Sequence, residues 1–389
     1  MKRHYSLACQ LTVWTFLFLS VAGATLSAGE GYRKSLFNGQ NLDGWIVSGC
    51  QVEVKDGVIL AKAGNGLVRT DSQYDDFVLE LKWKALKTEK WDAGIYFRFG
   101  EVPKGRPWPN RYQANLLQGK EGNVGQLAGA QSKGLVKEGE WNSLQLTVVG
   151  ETAALRMNGK DAWQARGLQN SFGFIGLQVE VPGGGQFQFK DIYVTELKHR
   201  AIFNGKDLSG WEGGGQQEAT PPASWEVRDG TLLCTGKKGT WLRSKEEYGD
   251  FNLRLDYKLQ EGGNSGVFLR VPTNGGHRGR GNGVEVQILD DAAERYKNLK
   301  PYQYAGSVYG IAPATSKVGK PAGRWNTLEI DIQGTTYRVV HNGVVVVTAD
   351  ADRFPAVAER RLRGFIGFQN HKTQVSLRNL RIAVPARTP

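Results

Sequence analysis

An internal repeat constrains the fold of this chain more than any other feature of its sequence. The segment SLFNGQNLDGW at residues 35–45 recurs as AIFNGKDLSGW at residues 201–211. Other paired segments follow in the same order, and the last pair is GFIGLQ with GFIGFQ. The repeating unit is far longer than one unit of a solenoid. The sequence therefore predicts two tandem homologous domains, at residues 29–198 and 199–386.

Each copy has the pattern of a β-rich domain. The segments FVLELKW at 77–83 and FNLRLDY at 251–257 alternate apolar and polar residues with the period of a strand. Glycine supplies 51 of the 389 residues, against a usual share of ~7 %, which is typical of many tight turns. No long segment has helical periodicity. We therefore predict an all-β chain of two tandem jelly-roll β-sandwiches.

Residues 1–28 are predicted to be a signal peptide rather than part of the fold. A short basic segment, MKRH, precedes a mostly apolar run from Leu7 to Ala24, and residues 22–24 form an A-x-A cleavage pattern. Cleavage is expected at about residues 24–28. An uncleaved anchor is the alternative, but polar residues interrupt the apolar run. No other segment reaches the ~18 apolar residues of a membrane-spanning helix. We therefore expect an exported protein, periplasmic or extracellular, without a membrane span.

The formal net charge of +12 does not by itself indicate a nucleic-acid partner. Most basic residues are scattered between predicted strands, and only HRGR at 277–280 and RRLR at 360–363 form clusters. Nucleic-acid-binding proteins usually concentrate their charge on one element with interleaved aromatic residues. We therefore expect no nucleic-acid partner.

Several motifs of the second copy resemble those of a known family. They are the opening FNGxxLxGW, NSGVFLR at 264–270, EVQILD at 285–290, WN at 325–326 and FQNH at 368–371. The pattern resembles the 3-keto-disaccharide hydrolase domain family over essentially all of the chain after the signal peptide. It occurs twice, and the second copy is much closer to the family. The resemblance implies a concanavalin-like lectin/glucanase sandwich and chemistry on 3-keto-glycosides.

A polar strand in the second copy is the first candidate site. In GVEVQILDD at residues 283–291, the side chains of Glu285, Gln287 and Leu289 share one strand face. Retaining glycosidases use two carboxyl groups ~5 to 5.5 Å apart, and Gln287 at the middle position argues against that double displacement. The alternative is that Glu285 and Gln287 simply face solvent on an outer sheet.

Two further residues are candidates for catalysis. The family resemblance places a histidine at His371, which could act as a general acid or base near neutral pH. Arg270 ends an otherwise apolar strand that Asn264 and Ser265 begin. A divalent metal bound by Glu285 and His371 is left open, although the sequence has no metal-binding motif. The predicted substrate-binding residues are Asn264, Ser265, Gln287, Asp290 and Tyr309.

The first copy differs at these positions. Those of Glu285, Gln287, Asp290 and His371 are occupied by Gln113, Asn115, Gln118 and Glu180, respectively. Amides cannot supply the titratable group that acid–base chemistry needs. The first domain is therefore predicted to be a degenerate copy, retained for binding or packing. The remaining histidines of the second copy, His199, His277 and His341, have no motif around them and are not predicted to act.

The leading hypothesis is an exported enzyme that cleaves the glycosidic bond of a sugar already oxidised at C3, the substrate class that the resemblance implies. A C3 ketone acidifies the C2 proton, so a base can remove it, the C1 substituent leaves, and water addition completes a net hydrolysis. We assign base and acid to Glu285 and His371, and stabilisation of the enolate to Arg270, Gln287 or a metal. A separate sugar 3-dehydrogenase is expected upstream, because no dinucleotide-binding motif opens a βαβ unit. The alternative is a non-catalytic, lectin-like carbohydrate-binding protein.

Overall fold

A computed structural model of the chain describes residues 31–215 and 221–385. The predicted signal peptide at residues 1–28 lies outside the described residues. Within them, regular structure is almost entirely β, and the alternation of buried and half-buried side chains follows the sequence pattern. No helix in this part of the chain is long and apolar enough to cross a membrane.

The first copy forms one continuous curled sheet. Its elements are β1 (Tyr32–Ser35), β2 (Trp45–Lys55), β3 (Val58–Thr70), β4 (Phe77–Ala85), β5 (Gly94–Phe99), β6 (Gln113–Asn115), β7 (Asn142–Val149), β8 (Thr152–Met157), β9 (Lys160–Arg166), β10 (Phe174–Glu180), α1 (Val181–Gly184) and β11 (Phe187–Glu196). The strand order is β6-β5-β10-β3-β11-β4-β7-β8-β9, with β1 on β11 and β2 on β3. The long strand β3 pairs with β11 at its start and with β10 at its end, so it joins two layers around one core.

The second copy forms two separate sheets around its own core. Its strands are β12 (Arg200–Ala201), β13 (Trp211–Gly213), β14 (Trp225–Arg228), β15 (Thr231–Cys234), β16 (Leu242–Tyr248), β17 (Phe251–Leu259), β18 (Asn264–Val271), β19 (Val284–Leu289), β20 (Asn326–Gln333), β21 (Thr336–His341), β22 (Val344–Ala349), β23 (Gly364–Phe368) and β24 (Val375–Ala383). Three 3₁₀ turns lie at Glu294–Tyr296, Pro301–Gln303 and Pro355–Val357.

These strands form an eight-stranded and a five-stranded sheet. The larger has the order β14-β15-β24-β17-β20-β21-β22 with β12 on β24, and the smaller has the order β13-β16-β23-β18-β19. Apolar side chains from both sheets pack into one buried cluster. The chain is therefore all-β, with two tandem concanavalin-like jelly-roll β-sandwiches, as the sequence predicts.

The two copies meet across a buried cluster of charges. Glu196, at the end of β11, accepts hydrogen bonds of 2.9 and 2.7 Å from the Arg381 guanidinium and lies 3.5 Å from Arg254. Burial alone would raise the pKa of Glu196, but these two guanidinium groups hold it well below its ordinary value. His199 is also buried, and its Nε2 lies 2.9 Å from Asn252 Oδ1. The predicted linker region is therefore packed against the second copy rather than forming a free tether.

Candidate active site

Strand β19 presents its polar side chains on the outer face of the five-stranded sheet. Phe268 lies opposite Glu285, and Gly266 lies opposite Gln287. The intervening residues Val284, Val286 and Ile288 are buried in the core of the second copy, which confirms the predicted alternation. Glu285 and Gln287 are nevertheless only 2 % and 5 % exposed. They do not simply face solvent, since loops cover this part of the sheet.

The Glu285 carboxyl is paired with His277, which lies on the loop between β18 and β19. His277 Nε2 is 3.3 Å from Glu285 Oε2, and His277 Nδ1 is 3.1 Å from the Gly275 carbonyl oxygen. The imidazole stacks on the Phe268 ring at 4.7 Å between centroids. A carbonyl oxygen can only accept, so Nδ1 carries the proton of the neutral ring. Nε2 of the neutral ring is therefore without a proton and lies 3.3 Å from Glu285 Oε2, with no hydrogen bond to it in the described residues.

The surroundings of this pair favour the uncharged form of both groups. Burial raises the pKa of Glu285 to about 7, although nearby Arg278 acts in the opposite direction. Burial also lowers the pKa of His277. Because burial disfavours the charged form of each group, the pair holds one proton between them near neutral pH. Such a pair can both accept and donate a proton, which is what acid–base catalysis needs.

Glycines and aromatic rings shape the space around the pair. The edge of the half-buried Trp241 ring meets Phe268 at 5.3 Å between centroids. A β-carbon added at Gly367 would collide with the Trp241 ring, and one added at Gly266 would collide with the Glu285 carboxyl. Glycine at 266 and 367 therefore allows both side chains to lie flat on the sheet.

Two amide side chains on the same face offer a donor and an acceptor. Gln287 Oε1 accepts the Ile288 N–H at 3.2 Å, which leaves the Gln287 Nε2 group to donate elsewhere. Asn264 lies opposite Leu289 on this outer face. Its Oδ1 is buried and has no hydrogen-bond partner within the described residues. A bound sugar with hydroxyl and carbonyl groups could satisfy both amides.

Arg270 is held by structural contacts within the second copy, and its action on the substrate stays a prediction. Its guanidinium donates to the Gly249 carbonyl at 2.7 Å, the Gly334 carbonyl at 2.6 Å and Asp250 Oδ1 at 2.7 Å. The side chain is 1 % exposed. In the first copy, Arg98 makes the equivalent set of contacts and has the same positive φ. Both arginines tie a strand bulge to neighbouring turns.

The other predicted substrate-binding residues lie in different surroundings. Ser265 faces the core side, where its hydroxyl donates to the Gln369 carbonyl at 2.8 Å, so it does not reach the outer face. Asp290 accepts the Gly262 N–H at 2.8 Å and stabilises that turn. Tyr309 does lie beside the pair, because its backbone N–H donates to the Glu285 carbonyl at 2.8 Å.

His371 lies on an exposed turn at the edge of the site rather than against Glu285. The turn is held by Gln369, whose N–H donates to the Gly266 carbonyl, and by Thr373, which bonds the backbone of Asn264. Within residues 31–215 and 221–385, His371 forms no hydrogen bond and no ion pair. The structure brings His277, not His371, to the carboxyl.

The donor atoms do not fit a resident divalent metal. Across the described part of the chain, no three side chains of His, Cys, Asp or Glu are grouped so that they could hold a metal ion. Glu285 and His277 supply only two donors, and His371 does not join them. No step of the mechanism below is therefore routed through a metal.

Sequence reasoning missed His277. Its one sequence signal is its place in the HRGR cluster, a pattern that indicates only positive charge. Its function depends on how the β18–β19 loop folds back over Phe268, and this is a contact between side chains that strand periodicity does not report.

The first copy carries the same register without the acid–base pair. Gln113 lies opposite Tyr96 and Asn115 lies opposite Gly94, which matches the positions of Glu285 and Gln287. The Gln113 amide donates to Gln178 Oε1 instead of meeting a histidine. Tyr96 belongs to a small apolar cluster on the outer face of this sheet. This face therefore lacks, in the described residues, a titratable group where the second copy has Glu285.

Comparisons with known proteins identify the family of the chain. The chain matches the profile of the 3-keto-α-glucoside-1,2-lyase-like domain at residues 33–195 and again at 198–383. A 3-keto-disaccharide hydrolase of Bacteroides thetaiotaomicron is 26 % identical over 238 residues, which cover 50 % of this chain and 79 % of that protein.

Solved structures from Parabacteroides distasonis are also similar. One candidate glycosyl hydrolase is 31 % identical with a TM-score of 0.41, covering 48 % of this chain and 98 % of its own. A second is 23 % identical with a TM-score of 0.39, covering 48 % and 93 %. Since the two profile matches together span nearly all of the described residues, the chain belongs to the 3-keto-α-glucoside-1,2-lyase-like family and carries two tandem copies of its domain.

Proposed function

We propose that the second copy cleaves the glycosidic bond of sugars that carry a ketone at C3, such as 3-keto-disaccharides or 3-keto-glucosides. The observation that supports this most is the Glu285–His277 pair, with Nε2 3.3 Å from Oε2 on a covered sheet face. Membership of the family supports the substrate class. The first copy has an amide at the Glu285 position, so we propose that it contributes packing or binding rather than turnover.

The first step removes the proton at C2. In the form of the pair with its proton on His277, Glu285 is a carboxylate and can act as the base. The C2–H electron pair moves into a C2=C3 enolate, and the C3 oxygen gains negative charge. The free Nε2 group of Gln287 is available to donate a hydrogen bond to that oxygen.

The second step expels the leaving group. The enolate re-forms the C3 carbonyl as the C1–O bond breaks, which leaves a C1=C2 double bond. The His277 imidazolium gives its proton to the departing oxygen, so the pair again holds one proton. Addition of water across C1=C2 then returns a proton to C2 and completes a net hydrolysis.

A non-catalytic, lectin-like role is the second candidate, and two features of the outer sheet face favour it: the unpaired Asn264 Oδ1 and the half-buried Trp241 ring that packs on Phe268. These two groups could bind a sugar without turnover. The lectin-like role predicts saturable binding of glycans that have no C3 ketone. The enzyme predicts release of 3-ketoglucose.

The test is incubation of the purified protein with a 3-keto-glucoside, with 3-ketoglucose measured as product. Wild type should release it, and Glu285→Gln should be slower by about 10²-fold or more. Gln113→Ala at the equivalent position of the first copy is the matched control and should leave turnover unchanged. Equal turnover by wild type and Glu285→Gln would refute the proposed site.

We also propose that residues 1–28 direct export and that a separate sugar 3-dehydrogenase supplies the ketone. The basic start and apolar run of the sequence support export. The amino-terminal residue of the protein recovered from periplasm or medium tests this proposal. A protein that keeps residue 1 and stays in the cytoplasm would contradict it.

A further inference from the structure

The fold brings together the two basic clusters of the sequence, HRGR and RRLR. The Gly281 N–H donates to the Glu359 carbonyl at 2.8 Å, and the Arg361 N–H donates to the Asn282 carbonyl at 3.0 Å. The Arg360 guanidinium also donates to the Gly279 carbonyl. The β18–β19 loop and the segment before β23 are therefore joined. We name as the arginine rim the exposed Arg278 and Arg280 of that loop together with the half-buried Arg361 beside them.

The arginine rim borders the proposed acid–base pair. The Arg278 guanidinium lies 4.8 Å from the centre of the Tyr309 ring, and Tyr309 donates its backbone N–H to the carbonyl of Glu285. His277, the residue before Arg278, contacts the Glu285 carboxyl itself. A substrate placed at Glu285 would therefore have part of its structure beside Arg278.

The rim has unused binding capacity. Arg278 and Arg280 are exposed and form no ion pair with an acidic side chain in the described residues, whereas neighbouring Arg363 lies 3.5 Å from Glu247. A guanidinium is always charged and offers a planar pair of donors that fits a carboxylate, sulfate or phosphate group. Because these arginines lie next to the proposed reacting centre, their charge can contact a bound substrate as well as solvent.

Two arginines on the equivalent loop of the first copy, between β5 and β6, have amide partners. Arg106 donates to Asn110 Oδ1 at 2.5 Å, and Arg111 donates to Gln169 Oε1 at 2.7 Å. The unpaired arginines thus accompany the copy that has Glu285 and His277.

We propose that the arginine rim binds an oxyanion on the leaving group, so that the preferred substrates are 3-keto-glycosides with an acidic aglycone. This inference rests on the proposed function and names its substrate class. A carboxylate, a sulfate and a phosphate share the required chemistry, and the test separates them.

The test compares 4-carboxyphenyl and 4-carbamoylphenyl 3-keto-glucosides, which differ in charge but little in size. The full-length protein should prefer the carboxylate in kcat/KM by about 10-fold at low salt. The preference should fall as NaCl is raised, because salt screens exposed charges. The 4-sulfophenyl and 4-phosphophenyl glucosides then rank the three oxyanions.

The variant Arg278→Ala/Arg280→Ala should abolish the preference, and Arg278→Lys should retain part of it. Arg295→Ala is the matched control, since its guanidinium lies over Tyr296 at 4.6 Å in the same copy, and it should leave the preference unchanged. Equal kcat/KM for the two glucosides in wild type would overturn the inference, as would a preference that survives in the double variant. If neither glucoside is turned over, this result contradicts the proposed catalytic function but does not yet test the arginine rim. In that case the Kd values of the two glucosides, measured by calorimetry, test whether the arginine rim binds the carboxylate. Equal Kd values would overturn the inference.

Discussion

Replacing Glu285 with glutamine should remove a pH-dependent loss of stability from the protein. The carboxyl is 2 % exposed, and burial raises its pKa from 4.5 to about 7. The fold already accommodates glutamine at this register position, because Gln113 lies opposite Tyr96 in the first copy as Glu285 lies opposite Phe268 in the second. The variant therefore isolates the effect of the charge.

The size and sign of the effect follow from that shift. Below pH 4.5 the carboxyl is protonated in both states, and between 4.5 and about 7 the unfolded chain ionises while the folded protein keeps its proton. Wild type therefore loses stability as pH rises through this window. At ~1.36 kcal/mol per pKa unit, the loss amounts to about 3 kcal/mol above the folded pKa. Glutamine cannot ionise, so the variant escapes the loss.

The assay is urea unfolding of both proteins at about pH 4 and about pH 8, followed by tryptophan fluorescence. Because His277 contacts the carboxyl, its titration also responds to the substitution, and the same comparison in the His277→Asn background removes that contribution. The variant should gain about 3 kcal/mol relative to wild type between the two pH values. The reverse change, Gln113→Glu in the first copy, should lose stability as pH rises. A difference between wild type and Glu285→Gln that is the same at both pH values would refute the buried carboxyl.

Single substitutions also test the other contacts of the site and of the interface. His277→Asn should lower turnover of a 3-keto-glucoside by about 10²-fold or more with little change in melting temperature, and unchanged turnover would remove His277 from the mechanism. Arg270→Ala should lower the unfolding free energy in urea by about 2 to 4 kcal/mol, because it leaves the Gly249 and Gly334 carbonyls without their donor. An Arg270→Ala protein that is as stable as wild type but inactive would instead indicate that Arg270 acts in catalysis or substrate binding. Glu196→Ala should cost ~3 to 5 kcal/mol, since Arg381 would be left buried and unpaired, and unaltered urea unfolding would contradict the buried pair.

The fold was predictable because the same sequence motifs occur in both copies of the domain. Repeated motifs define two copies, and period-two alternation places Glu285 and Gln287 on one strand face without knowledge of the fold. The substitution of Gln113 for Glu285 was visible from the repeat alone, and the strand register of the two copies agrees with it. Local pattern and internal homology suffice for these features.

The residues around Glu285 were less predictable, because their positions depend on loops. Arg270 ends an apolar strand and looks exposed, but a bulge with φ of 54° turns its side chain toward two backbone carbonyls. His371 lies in a motif, yet its turn leaves it exposed. His277 has no motif, but stacking on Phe268 brings it to the carboxyl. The conformation of a bulge, a turn and a loop decided these three positions, and strand periodicity does not predict such conformations.

Removal of the C2 proton by the Glu285–His277 pair is the central claim, and hydrogen isotope incorporation tests it most directly. A 3-keto-glucoside is incubated with the protein in D₂O, and early product is examined for deuterium at C2, with product alone in D₂O as the control for spontaneous exchange. Elimination followed by hydration predicts 3-ketoglucose carrying deuterium at C2, formed rapidly by wild type and very slowly by Glu285→Gln and His277→Asn. Rapid release of 3-ketoglucose that retains its original hydrogen at C2 would contradict the claim.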